Sequence, residues 1–156
     1  MTRPPAIRLR PASDQDRRFA YEVKRAALGP HVARVWGWDE EVQQDFHSRD
    51  WAVRRPEIVV LDGVDVGTVE FVRGEADYHL GELYLLPEQQ RRGIGSRLLR
   101  RLLAVADAER LPVRLEVIKI NPARRLYERH GFAIRGETET HFQMVRDPAP
   151  AGSGAA

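Results

Sequence analysis

The sequence predicts a mixed α/β domain, a single sheet with helices on both faces. Three observations predict it. Short alternating stretches such as Val113 to Ile120 interleave with segments of helical period. The predicted strands slightly outnumber the helices, and such a set buries its apolar faces best as a sheet covered on both sides. The length of 156 residues, 42% hydrophobic, suits one core rather than two and needs no covalent staple. Residues 1–147 are therefore expected to form one domain. The Pro/Ala/Gly/Ser stretch 148–156 is expected to be a disordered tail.

Taken in order, Ile7 to Arg10 alternates apolar and basic and predicts a short strand. Ser13, with Asp16 three residues on, resembles a capping box and opens a helix to about Ala27, where Gly29-Pro30 predicts a break. Two further helical stretches follow, Val32 to Trp38 and Asp39 to about Arg49, the latter with Val42 and Phe46 at i, i+4. Pro56 precedes the strand Ile58 to Leu61, and Asp62-Gly63 is a hairpin signal into Val64 to Arg73. Tyr78 to Leu86 is the next strand, stopped by Pro87 and followed by a polar, glycine-bearing turn over Glu88 to Gly95. Ile94, Leu98, Leu99, Leu102, Leu103 and Ala106 then mark the strongest amphipathic helix, ended by Leu111-Pro112. After the strand Val113 to Ile120, Asn121 is placed as N-cap with Pro122 at the first helical position, and Gly131 as the stop. Phe132 to Arg135 and Phe142 to Val145 close the sheet.

Composition excludes several classes. There is no cysteine, so disulfide scaffolds, zinc knuckles, iron–sulfur clusters and cysteine nucleophiles fall away. The apolar runs are far shorter than the ~20 residues that cross a bilayer, and Met1-Thr2-Arg3-Pro4-Pro5 leads into no signal-peptide core. The expected setting is soluble and cytoplasmic, with no membrane partner and no metal. Formal net charge is +2, but the pI is 9.3, because Lys24 and Lys119 are the only lysines among the basic residues. An arginine-rich nucleic-acid binder is a rival reading, yet no clustered basic stripe or nucleic-acid signature supports it.

The informative segment runs from Leu83 to Ser96. A strand feeds a turn, and the turn feeds a helix whose first N–H groups have no intrahelical partner and whose dipole favours negative charge there. Gly93 and Gly95 let a ligand approach the backbone, and Arg91, Arg92 and Arg97 add charge. The combination suits a di-anion such as a pyrophosphate; a plain helix start with solvated arginines is the alternative. A dinucleotide fingerprint fails because Leu98 stands where a third glycine is needed, and a triphosphate loop fails for want of its lysine.

Gln90-Arg91-Arg92-Gly93-Ile94-Gly95 resembles the Gln/Arg-x-x-Gly-x-Gly/Ala loop of the GNAT superfamily of acyl-CoA-dependent N-acetyltransferases. Asn121-Pro122-Ala123-Arg124-Arg125-Leu126-Tyr127-Glu128-Arg129-His130-Gly131-Phe132 resembles that family's Asn…Leu-Tyr-Glu…Gly-Phe element. The order of elements from Ile7 to Val145 is compatible with it too. Asn121 and Tyr127 stand one residue closer than in many relatives, and Pro122 reads as a tighter start of the helix.

The resemblance implies a mostly antiparallel sheet that splays at the cofactor site, between the strand ending at Leu86 and the strand Val113–Ile120. It implies acetyl-CoA as co-substrate and a primary amine as acceptor. The backbone of Leu83 and Leu85 would pair with the pantetheine arm, and Gln90, Arg91, Arg92, Gly93, Ile94, Gly95 and Ser96 would hold the pyrophosphate. Asn121 and Arg124 would lie at the cofactor. A backbone N–H near Leu85 would polarise the thioester carbonyl. Tyr127 would protonate the departing thiolate; its alternative is a core aromatic on the Ala123, Leu126, Tyr127 face. Glu82 is the first choice to take the amine's proton, His79 the second and His141 a more distant third. A strand carboxylate facing solvent or pairing with an arginine is the other reading of Glu82.

Acceptor choice is expected in His31 to Trp51, where Trp36, Trp38 and Trp51 stand among Asp39 and Glu40 and would suit a cationic amine, or simply pack the helices. Monomer and homodimer are both compatible. A non-catalytic acyl-CoA-binding module remains a rival that would be indifferent to Tyr127 and Glu82.

Overall fold

The computed structural model describes residues 3–150. Its elements are β1 (Ile7–Pro11), a 3₁₀ turn (Asp14–Asp16), α1 (Arg17–Trp36), α2 (Glu40–Val53), β2 (Glu57–Leu61), β3 (Val64–Arg73) and β4 (Tyr78–Leu85). A second 3₁₀ turn (Pro87–Gln89) leads to α3 (Ile94–Ala108), β5 (Val113–Ile118), α4 (Ala123–Arg129), β6 (Ala133–Glu137) and β7 (His141–Arg146). The seven strands form one open sheet in the order β1-β2-β3-β4-β5-β7-β6. Neighbours β1/β2, β2/β3, β5/β7 and β6/β7 are antiparallel, whereas β4 and β5 run parallel through Tyr78↔Val113 and His79↔Arg114. The expected mixed, mostly antiparallel α/β fold is what forms. Two compact units divide the chain: one gathers residues up to Glu70 with Glu82–Gly95, the other Phe71–Gly81 with residues from Ser96 on.

In the first unit, Asp62 and Gly63 both adopt positive φ (48° and 83°), the backbone of a tight two-residue hairpin, and set the register of β2 on β3. Ile58, Val59, Val60 and Leu61 are all buried, so β2 is covered on both faces. Against this, α1 differs from expectation: it runs unbroken through Gly29-Pro30 to Trp36. An interior proline costs about 3 kcal/mol, but the same stretch buries Val23, Gly29 and Val32. The true stop is Gly37, at φ 81°, whose N–H reaches Ala33 O at 3.0 Å.

Helix α2 is N-capped by Asp39, which accepts from Val42 N at 3.1 Å, and it continues past Arg49 to Val53. Its period is as expected but its phase is not. Val42 and Phe46 are 42% and 49% exposed, while His47 and Trp51 are buried. His47 can face inward because both ring nitrogens are used: Nε2–H donates to Arg17 O at 2.9 Å and Nδ1 accepts from Lys24 Nζ at 3.3 Å.

The start of α1 is fixed by a buried carboxylate. Asp16 takes both Nη groups of Arg10 at 2.8 Å each and the Ser13 N–H at 2.8 Å, and Arg10 also reaches Asp65 at 2.9 Å. The arginine fork holds the Asp16 carboxyl well below the usual carboxylate range, against the opposing effect of burial.

In the second unit, Leu98, Leu99, Leu102, Leu103 and Ala106 form the buried face of α3 as predicted, and Val113, Leu115 and Val117 alternate inward on β5. Strand β5 ends at Ile118, two residues early, where Asn121 N turns back to Ile118 O at 2.9 Å. Around α4 the predicted cap shifts by one residue: Pro122 is the cap and Ala123 the first helical residue. Asn121 Oδ1 instead accepts from Ala123 N at 2.9 Å, a turn closed by the side chain itself. Arg146 grips Asp107 with two bonds of 2.8 and 3.0 Å, and Ala149 N joins the same carboxylate at 3.0 Å. The expected tail is thus tied at its start; its remainder, 151–156, lies outside the described residues.

Asp16→Asn is expected to cost about 1–3 kcal/mol at pH 7, read by urea unfolding. A carboxyl held below its unfolded value of about 3.9 stabilises above that pH and loses its contribution as pH falls below it. The deficit of the variant should therefore shrink in acid; a deficit that stays constant down to about pH 2 contradicts this.

Candidate active site

In the first unit the site begins where β4 crosses close to β3. Leu86 N donates to Val66 O at 2.9 Å, and an added Cβ on Gly67 would lie 2.2 Å from Tyr84 O and 2.8 Å from Leu85 Cδ2. Only glycine leaves room for that backbone. The carbonyl of Leu85 is taken by Gln90 Nε2 at 3.0 Å, and the turn is closed by Gln89 N to Leu86 O at 2.8 Å. Gln90 thus braces the loop from below; Leu85 is buried and Leu83 half-buried.

The loop then reverses twice. Arg91 (φ 61°) and Gly93 (φ 79°) both adopt left-handed backbone, and alternation of left- and right-handed residues is the backbone from which anion-binding nests are built. A Cβ on Gly93 would meet nothing within 4 Å, so the space above it is open. Arg91 and Arg92 are exposed, with Arg92 Nη1 on Gln89 Oε1 at 2.6 Å, and Ile94 is buried as the anchor. Exposed cations beside a twice-reversed turn that is open above Gly93 suit a di-anionic phosphate group.

Glu82 stands on the same strand, half-buried, and accepts from Thr68 Oγ1 at 3.1 Å. Burial pushes its carboxyl above the usual range, the Lys24 charge and the Thr68 hydroxyl pull it back, and Glu70 and Asp50 push it further up. Lys24 itself lies 3.9 Å from Asp50. Of the expected acceptor aromatics, Trp51 is buried beside His47 (ring centroids 5.6 Å apart) and under Arg55, which makes it a packing residue. Trp38 is half-buried and donates to Glu40 Oε2 at 2.9 Å, while Tyr21 OH takes the other oxygen at 2.7 Å. Trp36 is exposed.

In the second unit, Tyr127 is buried on α4 with its ring edge-on to Phe132, 5.7 Å between centroids. Burial pushes the phenol up to about 12, and the hydroxyl donates no hydrogen bond among the described residues. Arg124 is engaged twice, with Glu128 at 3.3 Å and over the Phe142 ring at 5.0 Å. Asn121 spends its side-chain oxygen on its own turn. His79 is half-buried on β4 opposite Arg114, and His141 shares a 2.8 Å bond with Thr140 Oγ1. Ser96, at the start of α3, is joined to His130 and Arg100, each at 3.0 Å. Among the described residues no group of three or more His, Asp or Glu side chains is placed to hold a metal ion, and no helix is long and apolar enough to cross a membrane.

Several site residues were missed in the sequence. Gly67 carried a signal, a lone glycine inside a strand pattern. Thr68, Lys24 and His130 carried none, because their partners lie far along the chain.

The family model described as "Acetyltransferase (GNAT) domain" matches residues 54–134, more than half of the chain. The fold is similar to the PaiA N-acetyltransferase from Thermoplasma acidophilum, solved in complex with coenzyme A: TM-score 0.71, 21% identity, covering 91% of this chain and 99% of that one. An acetyltransferase from Thermus thermophilus superposes with TM-score 0.70 at 23% identity, covering 91% and 97%. The ribosomal-protein-S18-alanine N-acetyltransferase from Escherichia coli does so with TM-score 0.67 at 19% identity, covering 97% and 99%. A comparison with curated protein sequences gives no match. The open mixed sheet is the fold that these structures share with this chain. The chain belongs to the GNAT acetyltransferase family.

Gly67→Ala is the sharpest test of the β3–β4 crossing. It should cost about 1–3 kcal/mol by urea unfolding, because backbone must move to admit the methyl group. Unchanged stability would mean that the two strands do not approach as described.

Proposed function

We propose that this protein transfers an acetyl group from acetyl-CoA to a primary amine by direct attack of the amine on the thioester. The observation that carries the reading is the paired left-handed backbone at Arg91 and Gly93, open above and flanked by exposed arginines, at the head of α3. Gln90 to Ser96 would hold the pyrophosphate, and the Leu83 and Leu85 backbone would pair with the pantetheine arm. His79 stays the second choice for the proton acceptor, and Asn121 and Arg124 would lie at the cofactor, as the family resemblance implies.

The thioester supplies an activated acyl carbon. The amine nitrogen bonds to it, the carbon–sulfur bond breaks, and the amine's proton must leave. A lysine-like amine with pKa ~10.4 is mostly protonated at pH 7, a handicap of about 4–5 kcal/mol. Glu82 is assigned as the proton acceptor: a half-buried carboxyl raised above its usual range is a stronger base than an exposed one. Tyr127 is assigned as proton donor to the departing sulfur, and burial keeps its phenol protonated at any working pH.

Tyr127→Phe is expected to bind CoA normally and to lower kcat by roughly 100-fold or more. Normal CoA binding with unchanged kcat removes Tyr127 from this role; normal binding with no acetylation of any amine by the wild type favours a non-catalytic module. The acid limb of kcat/KM should fall through a midpoint above the usual ~4.3 of a glutamate, since the base works only when ionised. Glu82→Gln should abolish that limb along with most of the activity.

A further inference from the structure

Ser96 follows directly on the arginine–glycine turn, and its hydroxyl is already committed. His130 Nδ1 lies 2.9 Å from Leu126 O, and a carbonyl oxygen only accepts, so Nδ1 carries a hydrogen. In the neutral imidazole Nε2 is then a lone pair, and Ser96 Oγ, 3.0 Å away, must donate its single hydrogen there. Arg100 Nη1 donates to the same oxygen at 3.0 Å. In this state Ser96 offers any phosphate only a lone pair, which repels it. A proton on Nε2 reverses the arrangement. His130 and Arg100 then both donate to Oγ, its two lone pairs are filled, and its hydrogen is released to bond an anion.

We propose that His130 is a positioning residue for the phosphates of coenzyme A, acting through Ser96: CoA binding takes up a proton at His130 Nε2 and turns the Ser96 hydroxyl from the imidazole to the phosphate. The proposal rests on the reading of Gln90 to Ser96 as the pyrophosphate loop. The charged groups around His130 support it. From α3 comes Arg100, which donates to Ser96 Oγ at 3.0 Å. From β7 comes Arg146, whose Nε donates to His130 O at 3.1 Å while Asp107 takes both of its Nη groups. On α4 itself Glu128 is paired with Arg124, and Arg129 is exposed. No carboxylate bonds the His130 ring among the described residues, so a bound phosphate is the counter-charge that the imidazolium lacks.

A plain staple between α3 and α4 would use the same contacts, and proton counting separates the two. CoA is titrated calorimetrically into the full chain at pH 7 in two buffers of different ionisation enthalpy. CoA's own monoester phosphate titrates near pH ~6, but its contribution is common to every variant. Wild type is expected to take up more protons than Ser96→Ala or His130→Gln. Its affinity should fall as pH rises between about 6 and about 8, by about tenfold in all, because the favoured form is the protonated one. Both variants should flatten that slope. Without any variant, the nitrogen-15 titration of the wild-type His130 ring should move up by about one pH unit at saturating CoA. CoA binding with equal proton uptake in all three proteins, or an imidazole titration that CoA leaves in place, overturns the relay alone. Failure of the wild type to bind CoA overturns the cofactor reading beneath it.

Discussion

The carbonyl of Tyr84 occupies the place where a side chain at position 67 would begin, and much of the candidate site depends on that encounter. With glycine there, the end of β4 can lie against β3 closely enough for Leu86 N to bond Val66 O. That bond fixes where the strand stops. The 3₁₀ turn at Pro87–Gln89 starts from the fixed point, Gln90 folds back onto Leu85 O, and the two left-handed residues follow at a set distance from β4. The geometry of the loop is thus inherited from a contact between two strands, and the loop's own residues add the bracing and the charge.

The second constraint is the burial of polar groups in the first unit. His47, Lys24 and Glu82 are held among apolar strands and helices, and each is satisfied: His47 by the Arg17 carbonyl and Lys24, Glu82 by Thr68. Unpaired, groups of this kind would cost several kcal/mol each. The phase of α2 follows from this satisfaction. With His47 inward its ring bonds both the Arg17 carbonyl and Lys24, and the helix shows Val42 and Phe46 to solvent instead.

Legibility in the sequence follows the range of the interactions. The α3 stripe, the Asp62-Gly63 hairpin and the arginine–glycine turn depend on neighbours within a few residues, and all could be read directly. The break expected at Gly29-Pro30 failed because local helix propensity was outweighed by burial of the surrounding residues, and Gly37 was the stop instead. The cap at Asn121 missed by one residue because a side chain closing its own turn competes with capping the helix. The Ser96–His130 bond joins residues 34 apart, and nothing local to either announces the other.

One physical cause, burial, acts on both assigned proton-transfer groups, and it serves opposite purposes. At Glu82 it favours the proton-bound form and so strengthens the base. At Tyr127 it holds the phenol at about 12 and so keeps the donor loaded. The second effect carries a cost. A thiol ionises near ~8.5, so complete proton transfer from such a phenol to a free thiolate runs uphill by about 5 kcal/mol at 1.36 kcal/mol per unit. A turnover of about 10 per second corresponds to a barrier near ~16 kcal/mol, which accommodates that step. The cost is smaller still if the hydrogen bond from Tyr127 strengthens as charge develops on sulfur and the proton crosses only when the carbon–sulfur bond is nearly broken. In the proposed reaction the buried phenol would then act chiefly as an oriented donor, stabilising the thiolate as it forms, and its weak acidity would keep its proton in place before the reaction begins.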